Sequence, residues 1–212
     1  AFVMPHALIA QSAGVVTIQP SYKASSQITN FSEPIAAANM VELLSKQFQL
    51  SPKESFVLLS SESDELGYTH KKYQLYYKNI KVEGSTTTTH IKNGRVHRIS
   101  SNFLSVGDLS TEPAISAKQG LDFAKQHVGA KSYAWENNED LVEPSGELLV
   151  FTDEFTKTSY LVYKYEIYSF EPLYKADVYI NAKNGEVVFE NSMIHHVDVA
   201  ATGATLYDGT VN

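Results

Sequence analysis

The 212-residue chain contains no cysteine. That one absence excludes disulfide staples, thiolate metal ligands and a cysteine nucleophile together, although it leaves secretion open. Basic charge is also scarce. Seventeen Lys and Arg stand against 24 Asp and Glu, for a formal net charge of −7, so no basic footprint for nucleic acid is expected. No run approaches the roughly 20 apolar residues needed to cross a bilayer, and no membrane partner is expected. No basic stretch precedes the mildly apolar opening Ala1-Phe-Val-Met-Pro-His-Ala-Leu-Ile-Ala10. It reads as mature sequence left once a signal has been removed, which points to a secreted or periplasmic protein. What is present is apolar material: 43% hydrophobic residues, enough to build the core of one large or two small domains.

Two helix signals stand out. In the first, Ser32 acts as a cap before Glu33 and Pro34, and Ile35, Ala37, Val41, Leu44 and Phe48 form one apolar stripe, stopped by Pro52. Val41 and Leu44 are both expected in the core, so that aspartate at the two positions unfolds this unit. In the second, Ser116 stands three residues before Gln119 as a capping box. Ala117, Leu121, Ala124 and Val128 make the buried face, and Gly129 is the stop.

Strands are expected after each helix: over 56–60, 68–78, 82–91 and 95–103, then over 147–151, 160–170, 174–181 and 186–191. The turns Lys92-Asn93-Gly94-Arg95 and Lys183-Asn184-Gly185-Glu186 carry the Asn-Gly signal of a tight hairpin. Leu161, Tyr163, Tyr165 and Ile167 alternate with Val162, Lys164 and Glu166, as on a sheet with one dry and one largely wet face. Similar order at similar intervals argues for an internal duplication. The expected fold class is α+β: two tandem units, each a helix packed on a curved antiparallel β-sheet (cystatin-like), joined by Gly107–Pro113.

Candidate sites are few. A regular two-residue hairpin at Asn93-Gly94 sets His90 opposite His97, a two-imidazole platform for a metal that lacks a third ligand, so a solvent-facing pair is the preferred reading. Glu136, Glu139, Asp140 and Glu143 lack the spacing and central glycine of a calcium loop and read as a solvated loop, as do Asp153 and Glu154. His195 and His196 are adjacent. In extended chain they point in opposite directions and cannot hold one ion together.

The string Asp64-Glu-Leu66-Gly67-Tyr-Thr-His70-Lys-Lys72-Tyr73-Gln74, followed by Asn79-Ile-Lys-Val82-Glu-Gly84, resembles the fungalysin/thermolysin propeptide domain. Ile80 stands where that family usually has Gly, so this turn is expected to be built differently. Leu161-Val-Tyr163-Lys-Tyr165 with Val178-Tyr-Ile180-Asn181-Ala-Lys-Asn184-Gly185-Glu186-Val187 resembles a PepSY domain, Asn181 replacing the more usual Asp. Residues from Asn191 through Ala201-Thr202-Gly203 to Tyr207 and Gly209 resemble the junction with a thermolysin-like zinc metallopeptidase.

The resemblance implies an N-terminal extension (1–31), a propeptide domain (32–106), a linker (107–115), a PepSY domain (116–196), and a processing junction with the start of the protease (197–212). It further implies an intramolecular chaperone and inhibitor whose partner is the cognate protease domain. No His-Glu-x-x-His string occurs, so no catalytic, cofactor or metal site is expected in this chain; zinc and calcium would belong to the protease domain. The inhibitory tail and cleavage region would be His195, His196, Val197, Asp198, Val199, Ala200, Ala201 and Thr202, cut near Val199–Ala201. Tyr163, Tyr165 and Tyr174 are assigned to the core, and Tyr160, Tyr168 and Tyr179 are possible protease contacts. The alternative is a free-standing PepSY-type binding module of the cell envelope; a zinc-binding motif in the reading frame beyond Asn212 would decide for the protease.

Overall fold

A computed structural model describes residues 27–193, 203–205 and 209–211. The first half runs β1 (Gln27–Ala36), α1 (Met40–Gln47), β2 (Glu54–Ser63), β3 (Thr69–Tyr77), β4 (Ile80–Lys92) and β5 (Arg95–Ser101). The second runs α2 (Ala117–Val128), β6 (Ser132–Tyr133), a 3-10 turn (Ala134–Glu136), β7 (Glu147–Thr152), β8 (Ser159–Glu171), β9 (Leu173–Asn181) and β10 (Val187–Ser192). A short antiparallel hairpin, β11 (Gly203–Thr205) with β12 (Gly209–Val211), follows. The molecule is α+β, with few helices on a largely antiparallel sheet.

The first helix differs from its expected start. Ser32, Glu33 and Pro34 lie within β1, which pairs with β5. The helix begins at Met40 behind Asn39, whose side-chain oxygen accepts from the Glu42 amide. Asparagine is as good a cap as serine, and a proline at 34 is tolerated in an edge strand. The shift turns the helix. Leu44 is fully buried, whereas Val41 is 43% exposed. The second helix is capped as its sequence indicates: Ser116 and Gln119 exchange both capping-box bonds, and Gly129 closes the end in the left-handed region at φ 63°.

The strands form one ten-stranded sheet rather than two separate ones. β1, β5, β4 and β3 pair in the first half, with β2 outside β3. β7, β8, β9 and β10 continue it in the second. The join is a parallel bridge between β4 and β7 at Val82 and Val150, both fully buried. Leu44, Phe56, Leu75, Tyr77 and Val82 belong to the core under the first half, and Leu121 and Ala124 of α2 pack on Leu161, Tyr165 and Ile167 in the second. The opposite face of the second half is not simply wet, because Leu149, Phe151, Val162 and Tyr179 form a third buried cluster there.

The turns sort into two kinds. Asn93 and Gly94 both have positive φ (52° and 69°), the backbone of a tight primed hairpin. Lys78 and Asn79 adopt the same conformation between paired Tyr77 and Ile80, so Ile80 begins the next strand and no glycine is needed there. In the Lys183–Glu186 turn only Gly185 has positive φ, and the loop closes through the Asn181 amide on the Glu186 carbonyl. A cap that moves from Ser32 to Asn39, and two Lys-Asn-Gly turns of different construction, remove two of the sequence parallels between the halves. The linker is tied to both sides: Leu109 exchanges hydrogen bonds with the Tyr77 hydroxyl, and Lys183 donates to Ser110 and the Glu112 carbonyl.

Candidate functional site

Two polar arrangements lie along β3, one at the β2–β3 turn and one where β3 meets β4 near Gly84. Asp64 Oδ1 accepts the amides of Leu66 and Tyr68, and the Asp64 carbonyl accepts that of Gly67, whose φ of 78° suits glycine. Asp64 Oδ2 lies 3.0 Å from His70 Nε2. The hydrogen bond to His70, with the Tyr68 and Leu66 amides, holds the Asp64 carboxyl below the usual carboxylate value. Further along β3 the Gln74 amide is buried and donates to the carbonyls of Val82 (2.6 Å) and Ser85 (3.0 Å), and to that of Leu75. Those carbonyls flank Gly84, at φ 70°, where the ladder slips between Gln74 and Tyr76. Gln74 therefore satisfies backbone groups that the irregular ladder leaves unpaired.

The histidines are arranged otherwise than a regular hairpin dictates. A register shift in β5 pairs His90 with Arg98, not with His97. On its other side His90 pairs with His70, and their Nδ1 atoms approach to 2.8 Å. His90 Nε2 lies 3.1 Å from the Ser100 hydroxyl. The result is a chain Asp64–His70–His90–Ser100 across β3, β4 and β5. Burial, then the neighbouring His70 and Arg98, push the His90 imidazole below its ordinary value. Among the described residues no three His, Asp or Glu side chains gather as a metal site would need.

A second polar cluster spans the join between the halves. Glu83 of β4 meets Lys164 of β8 at 3.2 Å and Lys81 at 3.3 Å, and it accepts the Tyr179 hydroxyl at 3.1 Å. Lys164 also reaches Asp177 at 2.9 Å. Burial alone would raise the Glu83 carboxyl, but the two ammonium groups outweigh it and hold it below the usual value. Burial likewise opposes the Lys164 charge, and the Asp177 hydrogen bond with the surrounding Tyr179, Glu83 and Asp177 holds it above the ordinary lysine value.

The remaining candidates fall in different places. His195, His196, Val197, Asp198, Val199, Ala200, Ala201 and Thr202 lie outside the described residues. Tyr160 and Tyr168 are half-buried. Tyr179 is only 4% exposed, between Phe151 and Phe189 with its hydroxyl on Glu83, so its ring belongs to the interior and offers no contact surface. The strand alternation placed it opposite the α2 face, and nothing in that alternation signalled the third cluster. Tyr163 and Tyr165 are buried, their hydroxyls on the Ile115 and Ala117 carbonyls; Tyr174 is half-buried against the same core. Glu139, Asp140 and Glu143 are exposed, Glu136 caps the Tyr133 amide, and Asp153 accepts the amides of its own turn.

Residues 54–103 match the Fungalysin/Thermolysin Propeptide Motif, the span from β2 through β5 that holds Asp64, His70, Gln74, Gly84 and His90. The chain is 27% identical to bacillolysin of Bacillus amyloliquefaciens over 173 residues, 79% of this chain and 33% of that protein. It is 34% identical over 86 residues, 38% of the chain, to thermolysins of Bacillus caldolyticus and Alicyclobacillus acidocaldarius, covering 16% of each. The chain thus spans a third or less of the length of these relatives. Among solved structures, the Bacillus megaterium YpeB C-terminal domain aligns over 75% of this chain and 64% of its own at 15% identity and a TM-score of 0.36, too distant a likeness to carry any inference. Residues 54–103 thus carry a fungalysin/thermolysin propeptide motif, and the chain is similar to bacillolysin and thermolysins over part of their length.

Proposed function

We propose that this chain is the pro-region of a secreted thermolysin-like zinc metalloprotease, acting as its intramolecular chaperone and inhibitor. The match of residues 54–103 to a propeptide motif carries this reading, supported by the alignment with bacillolysin over most of the chain. In it, residues 32–106 form the propeptide domain and 116–196 a PepSY-type domain, two related units of cystatin-like plan joined by 107–115. The partner is the cognate protease domain, which supplies the zinc and calcium sites. The segment His195–Thr202 runs through the substrate cleft, and self-cleavage falls near Val199–Ala201. Tethering makes that occupation intramolecular, at millimolar effective concentration, so high intrinsic affinity is unnecessary. Tyr160 and Tyr168 are the tyrosines whose partial exposure suits contact with the protease.

The test uses the chain ending at Val199, added in trans. Inhibition of the cognate protease at micromolar concentration, with an increased yield of active enzyme on refolding, is the expected result. Full protease activity at that concentration, with no gain on refolding, would reject the reading.

A further inference from the structure

One cleft of about 350 Å³ opens on the first half of the sheet, lined by Asn30, Tyr68, His70, His90, His97 and Arg98. None of these six described lining residues is a carboxylate. The acid of the neighbouring turn, Asp64, directs Oδ2 to His70 Nε2. Arg98 Nε donates to Asn30 Oδ1 at 2.8 Å. That bond orients the guanidinium and also leaves the Asn30 amide hydrogens as donors. Tyr68 stands between the imidazoles, near-parallel to His70 and edge-on to His97, with the Lys92 ammonium 4.9 Å from its ring centroid. The cleft therefore presents the Arg98 guanidinium, the His97 imidazole, the Asn30 amide and the Tyr68 phenol, while both ring nitrogens of His70 and of His90 are engaged behind it.

We propose that this cleft binds a carboxylate, the acidic side chain or chain terminus of a peptide, with Arg98 as the charge partner and His97, Tyr68 and Asn30 as accompanying donors. A planar carboxylate matches the guanidinium fork. The proposal is independent of the protease reading, since it concerns the cleft alone.

Proton counting in the back wall gives the site a pH dependence. Asp64 fixes a hydrogen on His70 Nε2, and the 2.8 Å contact between the two Nδ1 atoms needs one hydrogen between them. A neutral pair meets this when His90 donates to His70 and accepts from Ser100. Adding one proton reverses both bonds, with His70 donating to His90 and His90 to Ser100, and no heavy atom needs to move. A second proton would set N–H against N–H and break the contact. One positive charge can thus be taken up behind the cleft without rearrangement. Among the described residues, the charged and titratable groups facing it are Glu62 from β2, paired with His70, Asp64 from the β2–β3 turn, Tyr68 and His70 from that turn and β3, His90 and Lys92 from β4, and His97 and Arg98 from β5. A carboxylate stays ionised to about pH 4, and burial, then His70 and Arg98, hold the His90 imidazole below its ordinary value, so binding strengthens on acidification below the ordinary histidine value of about 6.5.

The experiment titrates the full chain with acetate and follows the imidazole and arginine Nε NMR signals at about pH 5.5 and about pH 7.5. Expected are saturable shifts at His90, His97 and Arg98 that tighten by roughly threefold or more at the lower pH. Arg98→Gln, an exposed position, should weaken binding about tenfold with unchanged melting. Asn30→Ala should weaken it less, and His90→Gln should keep the site but flatten its pH dependence. No saturation, or equal affinity in Arg98→Gln, overturns the site. Inorganic phosphate binding more tightly than acetate overturns its assignment to carboxylates, and an affinity flat with pH in the unaltered chain overturns the role of the back wall.

Discussion

Gln74 shows how much of the propeptide motif is structural. Its amide serves carbonyls on both sides of Gly84 from a buried position, where water cannot replace it. Gln74→Leu keeps the volume and leaves those carbonyls unpaired, which should cost about 1–3 kcal/mol. Urea unfolding measures this, and an unchanged midpoint would show that the bonds contribute nothing. His90 makes a pH prediction of known sign. Its folded value is depressed below that of the unfolded chain. Its contribution is therefore complete above the ordinary histidine value of about 6.5 and is lost as pH falls through the folded value. The melting temperature should drop between about pH 7.5 and 5.5, and His90→Gln should reduce that drop. Sequence alone pointed to His90 and to His70, the latter only as part of a motif string. It could not pair them, because one extra residue in β5 moves His97 out of register and a bulge leaves no mark in an otherwise regular hairpin.

Among the elements, the two helices make opposite cases. For α2 the serine cap, the glutamine three residues on, the apolar face and the left-handed glycine all agree, and the helix follows them. For α1 the expected stripe holds at Leu44 and Phe48 but not at exposed Val41, and its origin is displaced: Ser32, Pro34 and Ile35 belong to β1, where pairing with β5 supplies the backbone bonds a helix would otherwise make. A test follows from the rotation. Leu44→Ala should cost about 2–5 kcal/mol as a core truncation, whereas Val41→Asp, on a 43% exposed side chain, should stay within about 0.5 kcal/mol. Thermal melts of both variants check it; equal losses would place both side chains in the core. The strands after each helix were legible to within a few residues from alternation and turn chemistry. The tight turn at Lys78-Asn79 was not, since neither residue is a glycine.

In the whole molecule, the consequential feature is the join. Val82 and Val150 form its backbone bridge, and Glu83 reaches across to Lys164 and Tyr179 of the second half. Glu83→Gln leaves Lys81 and Lys164 without that carboxylate, at a cost of about 1–3 kcal/mol near neutrality. The sign with pH is definite. A carboxyl held low in the folded state stabilises above its ordinary value of 4.5 and loses that contribution as pH falls through its folded value. The variant should accordingly lie closest to the unaltered chain in strong acid. Urea unfolding at about pH 7 and about pH 3 would show it, and an identical deficit at both would remove Glu83 from the balance.

Short-range physics was sufficient for the α2 cap and stop, the strand periodicity and the Asn93-Gly94 turn, because each depends on spacing along a few residues. The sheet's continuity, the partner of His90, the rotation of α1 and the burial of Tyr179 were decided only by tertiary structure. Each depends on which strands meet and in what register, and a shift of one residue in a strand exchanges the side chains that face each other.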